Sequence, residues 1–268
     1  MQVVIHVGVA GAQRLLLPPA TARVVGDVVW GRHDELGSPA YWAAQSWMWE
    51  LDEPDHYRLG RSLGEELLAC MLGGYGIPAE VGLAAYDRLR PDLADGPGRL
   101  CDEAHVRAEL SRPLRVRGRD VRYRFANQKA RYVSAAFRLL GDDADGLPDR
   151  ALRERLVNLP GVGPKTASWV VRNLRGSDEV AILDVHLLRA GRMLGIFDDA
   201  LTVERHYPCL EAAFLRFAAA IGARASILDS VMWMTMRRLP RPVLGGMVTG
   251  ARGRAARSSE AELVSLAQ

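Results

Sequence analysis

The sequence predicts an all-α fold with a short β extension at its N-terminus, and three observations predict it. Apolar residues recur at helical spacing from Tyr41 to Arg237. The breaks between these stretches are short and rich in Gly, Pro and Asp. Strand-like alternation (Val3, Ile5, Val7, then Val24, Val28, Trp30) is confined to the first forty residues. The expected organisation is therefore an N-terminal extension over 1–40, a helical core over 41–239, and a flexible basic tail over 240–268.

The elements follow in order. Residues 1–40, interrupted by Pro18-Pro19, read as one or two short strands. Trp42, Gln45, Trp47 and Trp49 open the helical region, and Leu63, Leu67, Leu68 and Met71 keep its spacing. Gly73-Gly74 and Gly76-Ile77-Pro78 break the chain before a helix near Ala79 to Leu89. A Pro/Gly/Asp link over Pro91 to Gly98 leads to a segment near Cys101 to Ser111. Arg112 to Arg124 carries six arginines and reads as a basic connector. A helix from about Asn127 to Leu140 is ended by Gly141, and 142–148 is a loop. Asp149 opens a helix to about Asn158, and a second spans roughly Lys165 to Leu174. Three more follow at Val185 to Leu194, His206 to Gly222 and Ala225 to Arg237. Past Leu239 no apolar period remains. Arg252, Arg254 and Arg257 there could brush a polyanion, with a solvated tail as the alternative.

Hydrophobic residues make up 49% and charged residues 25%, the composition of an ordinary globular protein. No apolar run approaches the ~18 residues of a membrane span. The apolar start lacks a basic leader and is interrupted by His6, so neither a secretory signal nor a membrane partner is expected. Cys70, Cys101 and Cys209 show neither zinc nor iron–sulfur spacing. The expectation is a reduced, cytoplasmic chain with no structural metal and no cofactor.

Net charge is only +3, but two of the 35 Lys and Arg residues are lysines, Lys129 and Lys165. Arg serves for phosphate contacts, yet its guanidinium stays protonated and cannot act as an amine nucleophile. A Lys retained inside a motif therefore calls for a chemical explanation.

Leu159-Pro160-Gly161-Val162-Gly163-Pro164-Lys165 is such a motif. A helix must end before Pro160, two glycines permit a tight positive-φ turn, and Pro164 suits the first turn of the next helix. Outward amides of Gly161, Val162 and Gly163 beside a positive helix dipole form an anion site that a DNA phosphate fits. A purely structural hairpin uses the same residues.

This segment, followed by Ala181-Ile182-Leu183-Asp184-Val185-His186, resembles the signature of the helix-hairpin-helix (HhH-GPD) DNA glycosylases. Within that superfamily it is most similar to the 8-oxoguanine DNA glycosylase/AP lyases, whose hairpin ends in a catalytic Lys. An Asp follows nineteen residues later in them, the interval from Lys165 to Asp184 here. The resemblance covers Tyr123 to Arg237, and Tyr41 to Leu89 more loosely. It implies two helical subdomains with an active-site cleft between them. It also implies a monomer that acts on double-stranded DNA containing a damaged base, in the cytoplasm with the nucleoid.

The implied chemistry suits the residue types. Breaking an N-glycosidic bond builds positive charge on the sugar, which the Asp184 carboxylate would stabilise. Lys165 would attack as a neutral amine, a state favoured by partial burial beside a helix N-terminus, and form a Schiff base. A phosphate-binding role is the alternative for Lys165, and an N-cap role for Asp184 is compatible with catalysis. His186 resembles the family's phosphate-contacting His, with an ordinary half-buried His as the alternative. Asn127 and Arg131 match its Asn-x-x-Ala-Arg helix, which reads the orphaned base. An N-cap for Asn127 and a solvated face for Arg131 remain open. Trp169, four residues beyond Lys165, would wall the base pocket where the family often has a smaller residue, which leaves the substrate base open. Trp233 and the Trp42/Trp47/Trp49 cluster could add walls, and Gln45 could read a purine edge, though such stripes are commonly core.

The leading expectation is a bifunctional enzyme that excises 8-oxoguanine. The same chemistry on another modified purine is the near alternative, and a non-catalytic DNA-binding module the distant one. With about 40 residues ahead of the helices, the expectation is a compact prokaryotic or archaeal-type member rather than one with the N-terminal β-domain of the larger family members.

Overall fold

The computed structural model describes residues 1–8, 11–52, 58–74, 76–94, 96–141 and 143–239. The expected flexible tail lies outside the described residues. The chain is mostly helical and divides into two compact units, Met1–Asp55 with Leu183–Gln268, and His56–Ile182. The first, terminal unit is thus built from both ends of the sequence and the second from its middle.

In the terminal unit, β1 (Gln2–Gly8) and β2 (Gly11–Leu17) pair antiparallel, with Gln2 opposite Leu17. β3 (Arg23–Val25) and β4 (Val28–Val29) form a second short ladder. The extension therefore holds four strands where one or two were expected. The alternating residues that suggested a strand, Val3, Ile5 and Val7, lie on the exposed face, while Val4 and Leu17 are buried. α1 (Pro39–Leu51) starts where the Ser38 hydroxyl accepts from the Tyr41 N–H, with Pro39 at the first helical position. It packs on α10 (Ala225–Arg238), which packs on α8 (Val185–Leu194). Trp42, Phe214, Phe217 and Leu228 fill the core. α9 (Val203–Ala220) bends at His206, two residues before Pro208. Proline there has no N–H and its ring crowds the carbonyl one turn back, so the helix kinks; it begins three residues before the expected His206.

The middle unit contains α2 (Leu63–Leu72), α3 (Ala79–Leu89), α4 (Glu103–Ser111), α5 (Ala126–Leu139), α6 (Asp149–Val157) and α7 (Pro164–Arg175). Its core includes Leu67, Leu72, Leu89, Val133, Leu152 and Val170, none of them measurably exposed. The expected basic connector is instead an antiparallel hairpin, β5 (Leu114–Val116) with β6 (Arg119–Val121). Leu114, Val116 and Val121 fall on one face by the two-residue period, and Leu114 is buried. Among the described residues no single helix is long and apolar enough to cross a membrane.

Candidate functional site

The turn between α6 and α7 is closed from inside. The Leu159 N–H donates to Leu156 O at 3.0 Å, and the Val162 N–H to Leu159 O at 3.1 Å. Val162 is buried, so its amide serves the turn and does not face outward as expected. Gly161 has φ +77°, and a Cβ there would lie 2.5 Å from Tyr132 Cγ. Both the backbone and the packing of the Tyr132 ring demand glycine at this position. Gly163 differs. Its φ of −93° suits any residue, and a Cβ would meet nothing within 4 Å. The expected pair of positive-φ glycines is a single one, and Gly163 instead leaves open space before the first turn of α7. Pro164 occupies the first helical position and Lys165, half-buried, the second. Helix geometry leaves the first-turn amides of Lys165 and Thr166 without intrahelical acceptors.

α7 is fixed by polar contacts that the sequence did not suggest. Asn173 Nδ2 donates to Glu66 Oε1 at 2.9 Å, and Glu66 is fully buried on α2. Its Oε2 accepts from the Leu59 and Gly60 N–H groups at 2.8 and 2.7 Å. A side chain on Gly60 would collide with the backbone at Glu65 and Glu66, so the loop reaches the carboxylate only as glycine. One carboxylate thus ties loop 59–60 and α2 to the helix that carries Lys165. A Glu within the apolar run Leu63 to Leu72 was the available signal.

Trp169, one turn beyond Lys165, is half-buried against the core, and its ring edge would touch a Cβ at Gly73 at 3.2 Å. The same end of α2 holds the second lysine. Lys129 Nζ donates to the carbonyls of Met71 and Gly73, and the Tyr123 hydroxyl donates to Leu72 O at 2.7 Å. A compact ammonium there satisfies helix-terminal carbonyls, a structural reason for keeping a lysine. Burial pushes the Lys129 amine below its usual value and the Tyr123 hydroxyl above its own.

α5 is capped at Phe125, which puts Asn127 exposed inside the first turn and removes its N-cap reading. Arg131 is exposed, with its guanidinium 5.1 Å from the centre of the Tyr132 ring. Since that ring also fills the space beside Gly161, Tyr132 links Arg131 to the hairpin turn. No sequence motif flagged this contact.

The remaining predicted residues lie in the terminal unit. Asp184 is the N-cap of α8, and its Oδ1 accepts from the N–H groups of His186 and Leu187 at 2.7 and 3.1 Å. The cap reading therefore holds, and it fixes the carboxylate's orientation. His186 is half-buried, and its Nδ1 is shielded from solvent without a hydrogen-bond partner among the described residues. Trp42 is 1% exposed and belongs to the core, while Trp47 lies edge-on to His6, which pairs with Asp52 at 2.7 Å. Gln45 and Trp49 are half-buried on the same helix. Trp233 is the exposed tryptophan among the described residues, at 37%, and Arg237 stacks 4.3 Å from its ring centre. A groove of about 830 Å³ runs from the β3–β4 turn to α8 and holds none of the predicted site residues.

Residues 103–223, from α4 through α9, match the family described as Ogg-HhH, 8-oxoguanine DNA glycosylase. A protein of Metallosphaera sedula named 8-oxoguanine DNA glycosylase/AP lyase is 34% identical over 131 residues, or 47% of this chain and 62% of that one. Its namesake from Saccharolobus islandicus is 32% identical over 123 residues, 42% and 58% of the two chains. This chain therefore spans about three fifths of the length of the curated relatives it matches. The solved 8-oxoguanine DNA glycosylase of Methanocaldococcus jannaschii superposes with a TM-score of 0.50 at 26% identity, covering 67% of this chain and 79% of that one.

Proposed function

We propose that this relative of the helix-hairpin-helix 8-oxoguanine DNA glycosylases is itself a base-excision repair enzyme with AP lyase activity on double-stranded DNA. The observation that carries the reading is Lys165 in the first turn of α7, directly behind the glycine turn. Asp184 follows nineteen residues later as a cap with a fixed carboxylate. The relatives named for this activity support it.

Exposed Gly161, open Gly163 and the first-turn amides of α7 suit a backbone phosphate. His186 is assigned to a further phosphate, and Asn127 and Arg131 to the base left unpaired. Trp233 offers a stacking face for an extruded purine, with Trp169 and Gln45 assigned to the same pocket. The Lys165 amine, unprotonated, attacks the anomeric carbon, and the glycosidic bond breaks with its electron pair leaving on the base. The Asp184 carboxylate offsets the positive charge that develops on the sugar. Opening of the ring gives the Schiff base. Loss of a C2′ proton then forms the C2′–C3′ double bond and expels the 3′ phosphate, a β-elimination.

The bulk of Trp169 favours a second reading, in which the same chemistry serves another modified purine. Borohydride trapping on duplexes with 8-oxoguanine opposite cytosine tests the first. A covalent protein–DNA band is expected for the wild type and none for Lys165→Gln. An unchanged band in the variant removes Lys165 from the mechanism. A band only on a plain abasic site keeps the lyase and moves the search to other bases.

A further inference from the structure

The β5–β6 hairpin has no role in the reading above. Six arginines and one acid occupy Arg112 to Arg124, a density of like charge that a merely soluble surface does not need. Its construction is rigid. From beneath, Arg88 of α3 donates to the carbonyls of Glu109, Arg112 and Pro113 at 3.2, 2.9 and 2.8 Å, fixing the entry to β5. Leu114 anchors the inner face, and buried Tyr123 pins the exit through its bond to Leu72 O. The tip turns on Arg117 and Gly118, with φ of 47° and 76°. Two left-handed residues give the tight, strongly twisted hairpin turn that usually carries Asn-Gly. Arg117 is the one non-glycine residue at positive φ among the described residues, and it pairs with Glu80 of α3.

The arginines divide by partner. Arg112 pairs with Glu109, Arg115 with Asp120 and Arg117 with Glu80. Arg119, opposite Val116 at the tip end of β6, and Arg122, the residue just past β6, are exposed and have no acidic partner among the described residues. Exposed Arg124 stacks on Phe125, the cap of α5, and leads to the exposed Asn127, Gln128 and Arg131. Exposed donors thus recur along the chain from the hairpin to the helix linked to the glycine turn.

We infer that the β5–β6 hairpin is a phosphate-backbone clamp for duplex DNA, with Arg119 and Arg122 as its contacting residues. The inference rests on the DNA reading above. Pinned at entry, tip and exit, the hairpin backbone is already ordered, so binding has only the two uncompensated arginine side chains left to order. Guanidiniums suit phosphate oxygens through paired, planar donors. The contact is blind to sequence and acts through counterion release.

The test is binding of an undamaged duplex by fluorescence anisotropy across a salt series. The variants are Arg119→Gln/Arg122→Gln and, as control for a remote charge, Arg107→Gln on α4. Each phosphate contact contributes about 0.9 to the slope of log affinity against log salt, so the double variant should lose ~1.8. The ratio of its dissociation constant to that of the wild type should then shrink ~12-fold between about 50 and 200 mM salt. Arg107→Gln should keep the wild-type slope. A double variant with the wild-type slope overturns the clamp and leaves the glycosylase reading intact. Equal losses in the double variant and the control overturn it too, since general charge then suffices. A wild type that binds duplex with no salt dependence overturns the DNA reading itself, and the clamp with it.

Discussion

The two glycines of the hairpin look alike in sequence and should behave differently when replaced by alanine. At Gly161 the new methyl group would sit 2.5–2.7 Å from three atoms of Tyr132, on a backbone with φ +77°. The left-handed conformation costs an L-residue about 1–2 kcal/mol, and displacing a packed ring costs about 1–3 kcal/mol. Gly161→Ala should therefore destabilise the middle unit by roughly 2–5 kcal/mol, lowering its melting temperature by roughly 5–15 °C. At Gly163 neither effect operates, because φ is −93° and the methyl group would meet nothing. Gly163→Ala should stay within about 0.5 kcal/mol of the wild type. It should nevertheless weaken duplex binding, because the methyl group stands before the open first turn of α7. Thermal melts by circular dichroism and binding by anisotropy read the two effects separately. In a Tyr132→Ala background the clash vanishes, and Gly161→Ala should retain only the backbone part, about 1–2 kcal/mol. Equal melting shifts for the two single variants would refute the assignment of Gly161 to fold and Gly163 to access.

Asp184→Asn should keep α8 intact, since Asn caps a helix as well as Asp does, while base release in single-turnover assays drops by orders of magnitude. Undiminished release would take Asp184 out of the chemistry. Glu66→Gln should lower stability by about 1–3 kcal/mol, because an amide must turn its N–H groups toward Asn173 or toward the amides of Leu59 and Gly60. Urea unfolding reads this, and an unchanged midpoint would mean that the buried carboxylate does not hold α7. Lys129→Met should cost a similar ~1–3 kcal/mol by leaving the Met71 and Gly73 carbonyls unpaired. Borohydride trapping by the folded fraction should survive the change, and its loss would give Lys129 a chemical role instead.

Much of the helical part was legible because its signals are local. Pro164 after a glycine marks the start of α7, and Asp184 caps α8 with bonds that span two and three residues. Periodicity located the helices to within a few residues. It missed the kink at His206, although Pro208 was present to warn of it. The β5–β6 hairpin reads as a basic connector in sequence because its strand pattern, Leu114, Val116 and Val121, is interleaved with arginines and its turn carries Arg-Gly in place of Asn-Gly.

The sequence by itself determined where helices start and stop around the hairpin, and which two residue types could carry amine and carboxylate chemistry. Tertiary structure alone decided the roles that depend on distant neighbours. Glu66 meets Asn173 across 107 positions, and Lys129 meets Met71 across 58. The choice of glycine at 161 depends on a ring twenty-nine residues away, at Tyr132. Retention of lysine in an arginine-rich chain was a sound signal that something specific was needed, but it could not say what. At Lys129 burial against helix-terminal carbonyls supplies the reason, and burial is a property of the packed chain rather than of any local pattern.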